Sequence, residues 1–475
     1  MEAEQRIAQL ETEKRELQEQ VEKLQEQLQE ALALIKQLEG RLKKDSHKPP
    51  SSDGLRRKTH SLRTPSGKKS GGQEGHSGQT RALVQAADRI SSHRPESCEQ
   101  CGSDLQGVEG RVVERRQVHN LPAIRLEVEE HQVQEVCCRQ CHSVTRGRFP
   151  ASVGAPVQYG LRVQAWAVYL NQYQLVPMER TCEILSQGLG CDISQGTLAN
   201  WAKLASEGLQ ASDQRLKQAM LACSLLHEDE TGVRIGKQGH WFHVSSTRFL
   251  TYLRWHLRRG RQAMDDIGIL PHYHGRIMRD RWRSYDHDGC SHSICGAHLL
   301  RDLTGLSERT KQKWARTLKR VLIAMNKLAW DWREQGATAV PKPIRDRWVA
   351  RYFLVLAAGF AAQAPPPANG PKKRGPTKQS EAKNLLDALL HRADQVLAFL
   401  DDLSIPFTNN QAERDLRMVK VQQKISGTFR SDEGATAFCR IRSYLSTMHK
   451  QARPLLEALA AVFAGQPFPI ALSFP

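Results

Sequence analysis

A heptad repeat over residues 1–45 is the feature that most constrains how this chain folds. Ten of its eleven a and d positions are apolar, and the residues between them are mostly Glu, Gln, Lys and Arg. An apolar stripe only two residues wide suits a partner helix better than a globular core. We therefore predict a coiled coil over residues 1–45 that joins copies of the chain into a homo-oligomer. A single helix packed on its own domain is the alternative.

The composition changes abruptly after the heptads. Residues 41–80 contain ten Lys and Arg, three Asp and Glu, and 16 Gly, Ser or Pro. Such a segment cannot bury a core, and its charge suits phosphate groups. We predict a flexible basic linker over residues 46–92, with a solvated tether that contacts no DNA as the alternative. The whole chain carries a net charge of +18, which favours a polyanionic partner.

Cysteine use and apolar segments indicate the compartment. The eleven cysteines are odd in number and clustered, which argues against a disulfide framework. Residues 1–6 show no basic or apolar leader, and the longest apolar run, residues 352–362, is about half of what a spanning helix needs. We expect a cytoplasmic, nucleoid-associated protein that contacts no membrane.

Two Cys-x2-Cys pairs separated by 36 residues predict a zinc-ribbon-like module over residues 93–146. Thiolate pairs at this spacing complete tetrahedral zinc sites. The expected ligands are Cys98, Cys101, Cys138 and Cys141. Alternating apolar residues between the pairs, Ile124, Leu126 and Val128, predict strands there. Two separate reduced pairs are the alternative.

A helical region is predicted over residues 150–215. A turn at residues 188–194 separates two amphipathic stretches, and Ser194 is the expected N-cap of the second. A helix, a turn with Gly and a helix form either a DNA-reading helix-turn-helix or an ordinary helical hairpin.

Short strands and turns follow from residue 224, and three acidic positions stand out among them. Asp229 lies in the first strand, Asp280 ends a later strand, and Glu413 lies in a helix capped by Thr408 or an Asn. Carboxylates brought together from such elements can hold two hard cations that activate a phosphodiester. Because acidic residues are common, this spacing is weak evidence by itself.

The remaining candidates surround Glu413. The long interval between Asp280 and Glu413 predicts a helical insertion over about residues 304–400. Lys420 lies two helical turns after Glu413, on the same helix face, where it would meet a DNA phosphate. Arg417 and Lys424 are the further predicted DNA-binding residues, and a solvated surface lysine is the alternative for Lys420.

Residues 290–298 offer ligands for a second zinc ion, although a buried strand explains these cysteines as well.

Seven segments of the chain resemble signature segments of the insertion sequence 66 family of bacterial transposases. They include His-Glu-Asp-Glu-Thr at 227–231, Cys-Gly-Ala-His-Leu-Leu-Arg at 295–301 and Thr-Asn-Asn-Gln-Ala-Glu-Arg-Asp-Leu-Arg-Met-Val-Lys-Val at 408–421. The others are residues 45–54, 71–78, 424–431 and 437–443. They follow the order of the family from about residue 45 to 450.

This resemblance implies a DDE transposase with an RNase H-like core. Asp229, Asp280 and Glu413 fall on the family's catalytic triad, which uses magnesium or manganese. The Cys-x2-His segment implies a role for His298 near the active centre. The family shows Asp-Gly-Trp where this chain has Asp-Arg-Trp at 280–282. Acidic residues near Asp280 compete for its place, namely Asp286, Asp288 and Asp302.

The expected fold class is multidomain α+β. A coiled coil, a zinc-ribbon-like module and a helical hairpin region precede an RNase H-like core at 220–435, and a helical element at 436–475 follows. The expected function is strand cleavage and transfer at the ends of an insertion sequence. The partners are double-stranded DNA of the element ends and target, with element-encoded accessory proteins as further candidates. The alternatives are a non-catalytic zinc-dependent DNA-binding protein and a metal-dependent nuclease.

Overall fold

The computed structural model describes residues 81–122, 124–287, 289–363 and 379–471, together with Gln25 and Gln29, which are helical and exposed. The rest of the predicted coiled coil and residues 46–80 of the predicted linker lie outside the described residues. No helix within these ranges is both long and apolar enough to cross a bilayer.

The cysteine module contains one short hairpin, β1 (Glu135–Cys137) paired antiparallel with β2 (Val144–Arg146). Each Cys-x2-Cys pair forms the same turn, in which Gly102 N–H donates to Cys98 O at 2.8 Å and His142 N–H donates to Cys138 O at 2.9 Å. The predicted strand around Val128 is wrong, because the described residues there form no strand. Ile124 and Val128 are exposed, and Leu126 packs partly buried against the apolar core of the neighbouring helices without a partner strand.

Four helices form the next region. They are α1 (Leu161–Val168), which continues into a π-helical turn (Tyr169–Tyr173), α2 (Met178–Leu189), α3 (Gln195–Gly208) and α4 (Gln210–Leu221). Ser194 caps α3 as predicted, because its hydroxyl oxygen accepts the N–H of Thr197 at 3.0 Å. The left-handed Gly190 ends α2. The helical hairpin that the sequence predicts is therefore present.

A five-stranded mixed sheet follows, in the order β5-β4-β3-β6-β7. Its strands are β3 (Leu225–Ile235), β4 (Gln238–Ser246), β5 (Thr251–His256), β6 (Arg276–Arg279) and β7 (Ser291–Ile294). β3, β4 and β5 are antiparallel neighbours, whereas β6 and β7 run parallel to β3. The short helix α5 (Arg261–Ile267) connects the two halves.

The described residues between β7 and the last part of the chain contain five helices. They are α6 (Gly296–Thr310), α7 (Lys313–Glu334), α8 (Lys342–Ala361), α9 (Glu381–His391) and α10 (Ala393–Asp401). Their buried faces form one core with the end of β7, around Leu318, Leu322, Tyr352 and Leu386. Helices α7–α10 occupy the place of the helical insertion that the sequence predicts.

Three helices end the described chain, namely α11 (Asn410–Ser426), α12 (Asp432–Lys450) and α13 (Leu455–Phe463). α11 packs on β3 and β4, and α12 packs on both β5 and α3. The C-terminal helix α12 therefore contacts both the sheet and the helical region before it. Trp201 of α3 and Tyr444 of α12 lie in the same apolar core.

Candidate active site

The register of β3 and β6 brings Asp229 and Asp280 close together. His227 of β3 pairs with Met278 of β6, and two residues further along the chain come Asp229 in β3 and Asp280, which directly follows β6. Adjacent strands are about 4.8 Å apart, which brings their carboxylates close together. Burial raises the pKa of Asp229 well above its usual range, and repulsion from neighbouring carboxylates, Asp280 and Glu413 among them, raises it further.

Glu413 joins the two aspartates from above the sheet. Thr231 and Val233 share a sheet face with Asp229, because side chains alternate along a strand. Val233 belongs to the apolar cluster in which α11 packs on this face of the sheet. Glu413 lies in the first turn of α11. Its carboxylate accepts a 3.3 Å hydrogen bond from Arg301, and His298 Nδ1 is 3.9 Å away.

These three carboxylates make the site anionic, but their oxygens do not form a group in which all lie within 4.8 Å of one another. The charges of Asp280 and Glu413 raise the pKa of Asp229, and a divalent cation bound between the carboxylates would relieve that repulsion. Carboxylate oxygens are the ligands that magnesium and manganese prefer. The donor set therefore fits hard divalent cations.

Glu228 and Glu230 project from the opposite face of β3. Glu230 accepts hydrogen bonds from Arg259 at 2.9 and 2.7 Å and from the Tyr285 hydroxyl. Arg259 itself lies over the ring of Trp282, at 4.1 Å from its centre. Glu228 is buried, and this burial raises its pKa to about 8. Neither glutamate faces Glu413 across the sheet.

Two of the acids that compete with Asp280, Asp286 and Asp302, form ion pairs with arginine side chains. Asp286 pairs with the fully buried Arg279 at 2.5 Å and with Arg392 at 2.8 Å. Asp302 pairs with Arg281, the residue that stands where the family shows Gly. The Arg281 guanidinium is therefore directed to α6 rather than to the carboxylate of Asp280. Asp288 lies outside the described residues.

The three predicted DNA-binding cations differ in their surroundings. Arg417 and Lys424 of α11 are exposed. The Lys420 ammonium instead donates to the main-chain oxygen of Gly232 in β3 and, at 3.3 Å, to Gln423. Burial lowers its pKa. Lys420 therefore fastens α11 to the sheet.

A mixed set of ligand atoms lies beside the carboxylates. Among the described residues, Cys295, His298 and Glu413 are the group whose thiol, imidazole and carboxylate atoms all lie within 4.8 Å of one another. The Cys-x2-His spacing signalled the first two, but not their contact with Glu413. The four cysteines of the two knuckles do not form such a group, nor do the other members of the 290–298 segment.

Sequence reasoning missed the role of Asn409. It was one of the expected caps of α11, but its side chain makes no capping hydrogen bond. Its amide nitrogen instead donates to the main-chain oxygen of Glu228 at 2.7 Å, and its amide oxygen is 2.9 Å from His227 Nδ1. The only local signal was an asparagine at the start of a helix, which is common.

Comparison with protein families gives the class of the chain. The model of the Transposase IS66 family matches residues 156–437, which include all of β3–β7 and α11. The match assigns the chain to the transposases, proteins that bind DNA, cut it and transfer it. Within that class the chain belongs to the IS66 family. A second model, Family of unknown function (DUF6444), matches residues 2–82. No curated protein matches the sequence.

Proposed function

We propose that this transposase works by a metal-dependent DDE mechanism in which Asp229, Asp280 and Glu413 hold magnesium or manganese. The observation that carries the proposal is the register of β3 and β6, which brings Asp229 and Asp280 close together, with Glu413 in the helix that packs on the same sheet face. The strand order supports an RNase H-like core, since a three-stranded meander is followed by two strands parallel to its first.

The reaction is cleavage at the element end followed by strand transfer. Water attacks the phosphodiester and releases a 3′-OH, which then attacks a phosphodiester of the target DNA. Asp229 in β3, Asp280 directly after β6 and Glu413 in α11 would hold two divalent cations. When bound, these ions would supply activation of the attacking oxygen and stabilisation of the leaving oxygen. Arg301 balances the charge of Glu413 at 3.3 Å before cations bind.

DNA would reach this site along α11. Glu413, Arg417 and Lys424 are separated by one and by about two helical turns, so they lie on one face of the helix. The exposed guanidinium and ammonium groups can contact successive phosphates of a strand whose scissile phosphate lies at Glu413. Lys420 lies on the same face but is bonded to the main-chain oxygen of Gly232 in β3.

The N-terminal modules would supply binding and assembly. We infer that the two cysteine knuckles hold one structural zinc. The thiol of Cys101 lies 3.2 Å from the Ser103 hydroxyl, and that of Cys141 lies 2.8 Å from the Ser143 hydroxyl. Hydrogen bonds at Ser103 lower the pKa of Cys101 to about 7, which favours the thiolate that zinc binds. Metal analysis of a Cys98→Ser, Cys138→Ser double variant should show loss of one zinc equivalent per chain.

The decisive experiment separates cleavage from binding. Asp229→Asn, Asp280→Asn and Glu413→Gln should each slow cleavage of an end-containing duplex by at least ~100-fold, a loss typical of one electrostatic catalytic group. Binding of the same duplex at fixed salt should persist, because cations and the N-terminal modules supply it. Asp266→Asn is the matched control, an exposed acid on α5 whose loss should leave cleavage unchanged.

Three results would contradict the proposal. Normal cleavage by Asp280→Asn would show that another acid holds the cation. A parent protein that binds element ends but never cleaves them, with accessory proteins supplied, would favour the non-catalytic alternative. Cleavage without any joining of strands would favour the alternative of a metal-dependent nuclease.

A further inference from the structure

The group of Cys295, His298 and Glu413 combines three different kinds of metal ligand. Their ligand atoms all lie within 4.8 Å of one another. Cys295 immediately precedes α6, and His298 lies in the first turn of that helix. Glu413 approaches from the first turn of α11. Residues far apart in the sequence therefore lie close together, and one of them is Glu413 of the proposed triad.

The sulfur of Cys295 is fixed in position by main-chain hydrogen bonds, while burial raises the pKa of the thiol to about 11, so a bound metal has to displace the thiol proton. The main-chain N–H of Asn409 donates to its sulfur at 3.1 Å. The sulfur also lies at the N-terminus of α6, where the helix dipole stabilises negative charge. Hydrogen bonds of this kind orient and stabilise the ligands of a metal site. The thiol is fully buried, so it is protected from oxidation in bulk solvent.

The buried Nδ1 atom of His298 is the second feature of this group. This atom has no hydrogen-bond partner among the described residues. The nearest carboxylate oxygen, from Glu413, lies 3.9 Å away, beyond hydrogen-bond distance. Leaving a buried polar atom unpaired is costly, and a metal ion between the imidazole and the carboxylate would satisfy it.

We propose that Cys295, His298 and Glu413 form a zinc-type metal site that shares its carboxylate with the catalytic cations. Sulfur and imidazole ligands select zinc over magnesium, which prefers oxygen. Three protein ligands leave a fourth position for water or a phosphate oxygen. Zinc bound here coordinates Glu413, so this carboxylate is no longer available to the catalytic cations and loses its ion pair with Arg301. Zinc therefore inhibits DNA cleavage. This consequence rests on the proposed role of Glu413, whereas the site itself does not.

Cobalt is the probe for the site, because cobalt bound to a thiolate absorbs light and zinc does not. The full chain, with its knuckles first loaded with zinc, is titrated with Co²⁺. The spectrum of the wild type minus that of Cys295→Ser should contain a thiolate-to-cobalt band. His298→Gln should weaken cobalt binding by at least about 10-fold. Cys439→Ser is the control, a buried thiol elsewhere in the core, and it should keep the full band.

Zinc inhibition is the second arm of the experiment. The ratio of cleavage rates with and without added Zn²⁺ should fall in the wild type and stay near one in Cys295→Ser. The site is overturned if the wild type and Cys295→Ser give the same cobalt spectrum while their circular dichroism spectra match. A cobalt band together with zinc-insensitive cleavage overturns the sharing of Glu413. If no variant cleaves DNA, the proposed function fails, yet the cobalt spectra still decide the metal site.

Discussion

The side-chain amide of Asn409 donates a 2.7 Å hydrogen bond to the main-chain oxygen of Glu228, the residue before Asp229. Its amide oxygen therefore faces His227 Nδ1, at 2.9 Å, and accepts from it. Its own main-chain N–H donates to Cys295 at the end of β7. One buried residue thus connects the strand of Asp229, the start of α6 and the helix of Glu413.

Replacing Asn409 with Ala should damage both stability and catalysis. Asn409 is 1% exposed, so its loss leaves the Glu228 carbonyl and His227 unpaired in the interior. We expect the free energy of unfolding to fall by about 1–3 kcal/mol, the cost of buried unpaired groups. Half-maximal cleavage should also require more magnesium, because Glu413 is no longer held over Asp229. Urea denaturation and a magnesium titration measure the two effects.

The neighbouring asparagine provides the control. Asn410 is exposed and begins α11, so Asn410→Ala should leave the unfolding free energy and the magnesium requirement close to those of the wild type. Equal effects of the two substitutions would show that Asn409 acts only as part of the helix start.

A tight contact at the start of α6 predicts a second effect. A Cβ atom on Gly296 would lie 2.2 Å from the ring of Phe407, and Gly296 N–H donates to Phe407 O at 2.8 Å. Gly296→Ala should therefore lower the free energy of unfolding by about 1–3 kcal/mol, the usual cost of overpacking. Thermal and urea unfolding measure it, and Gly154→Ala, where nothing lies within 4 Å, is the control.

A second substitution identifies the cause. In a Gly296→Ala, Phe407→Leu double variant, the smaller side chain makes room for the new methyl group. The double variant should lose less stability than the sum of the two single variants. Strict additivity would mean that the clash with Phe407 is not what destabilises Gly296→Ala.

Local patterns predicted part of the fold and of the candidate site. The short strands and turns after residue 224 predicted the sheet that carries Asp229, and a Ser followed by a helical pattern identifies the cap at Ser194. Both depend on residues a few positions apart. The bonds of Asn409 and the pairing of Asp286 with Arg392 join residues more than a hundred positions apart. No local pattern encodes them.

The buried His243 predicts a pH dependence of stability. It lies in β4, and burial is the largest reason that its pKa falls to about 4, with positive charges at His256 and Arg259 adding to the effect. An unfolded histidine has a pKa near ~6.5. Between these two values the unfolded chain binds a proton that the folded chain does not, so stability falls as the pH drops from 6.5 to 4. The loss can reach on the order of 3 kcal/mol.

Urea denaturation at pH 7 and pH 4.5 tests this prediction. His243→Asn should lose about 2 kcal/mol less stability than the wild type between the two pH values, because the histidine proton no longer enters. The exposed His272 gives the control, since His272→Asn should leave the difference unchanged. If His243→Asn loses as much stability as the wild type between pH 7 and pH 4.5, other groups cause the acid sensitivity.

The last prediction distinguishes the three cations of α11. Arg417 and Lys424 are exposed, whereas Lys420 is bonded to Gly232 of β3. Arg417→Gln and Lys424→Gln should each weaken duplex binding about equally for all sequences. Each should also reduce the slope of log affinity against log salt by about 0.9, the value for one lost phosphate contact. Lys420→Gln should leave that slope unchanged and instead lower the free energy of unfolding, because α11 loses its bond to the sheet. Binding titrations between 50 and 200 mM salt, with urea denaturation of the same variants, separate the two effects. A reduced salt slope in Lys420→Gln, with stability intact, would make Lys420 the phosphate contact and the bond to Gly232 incidental.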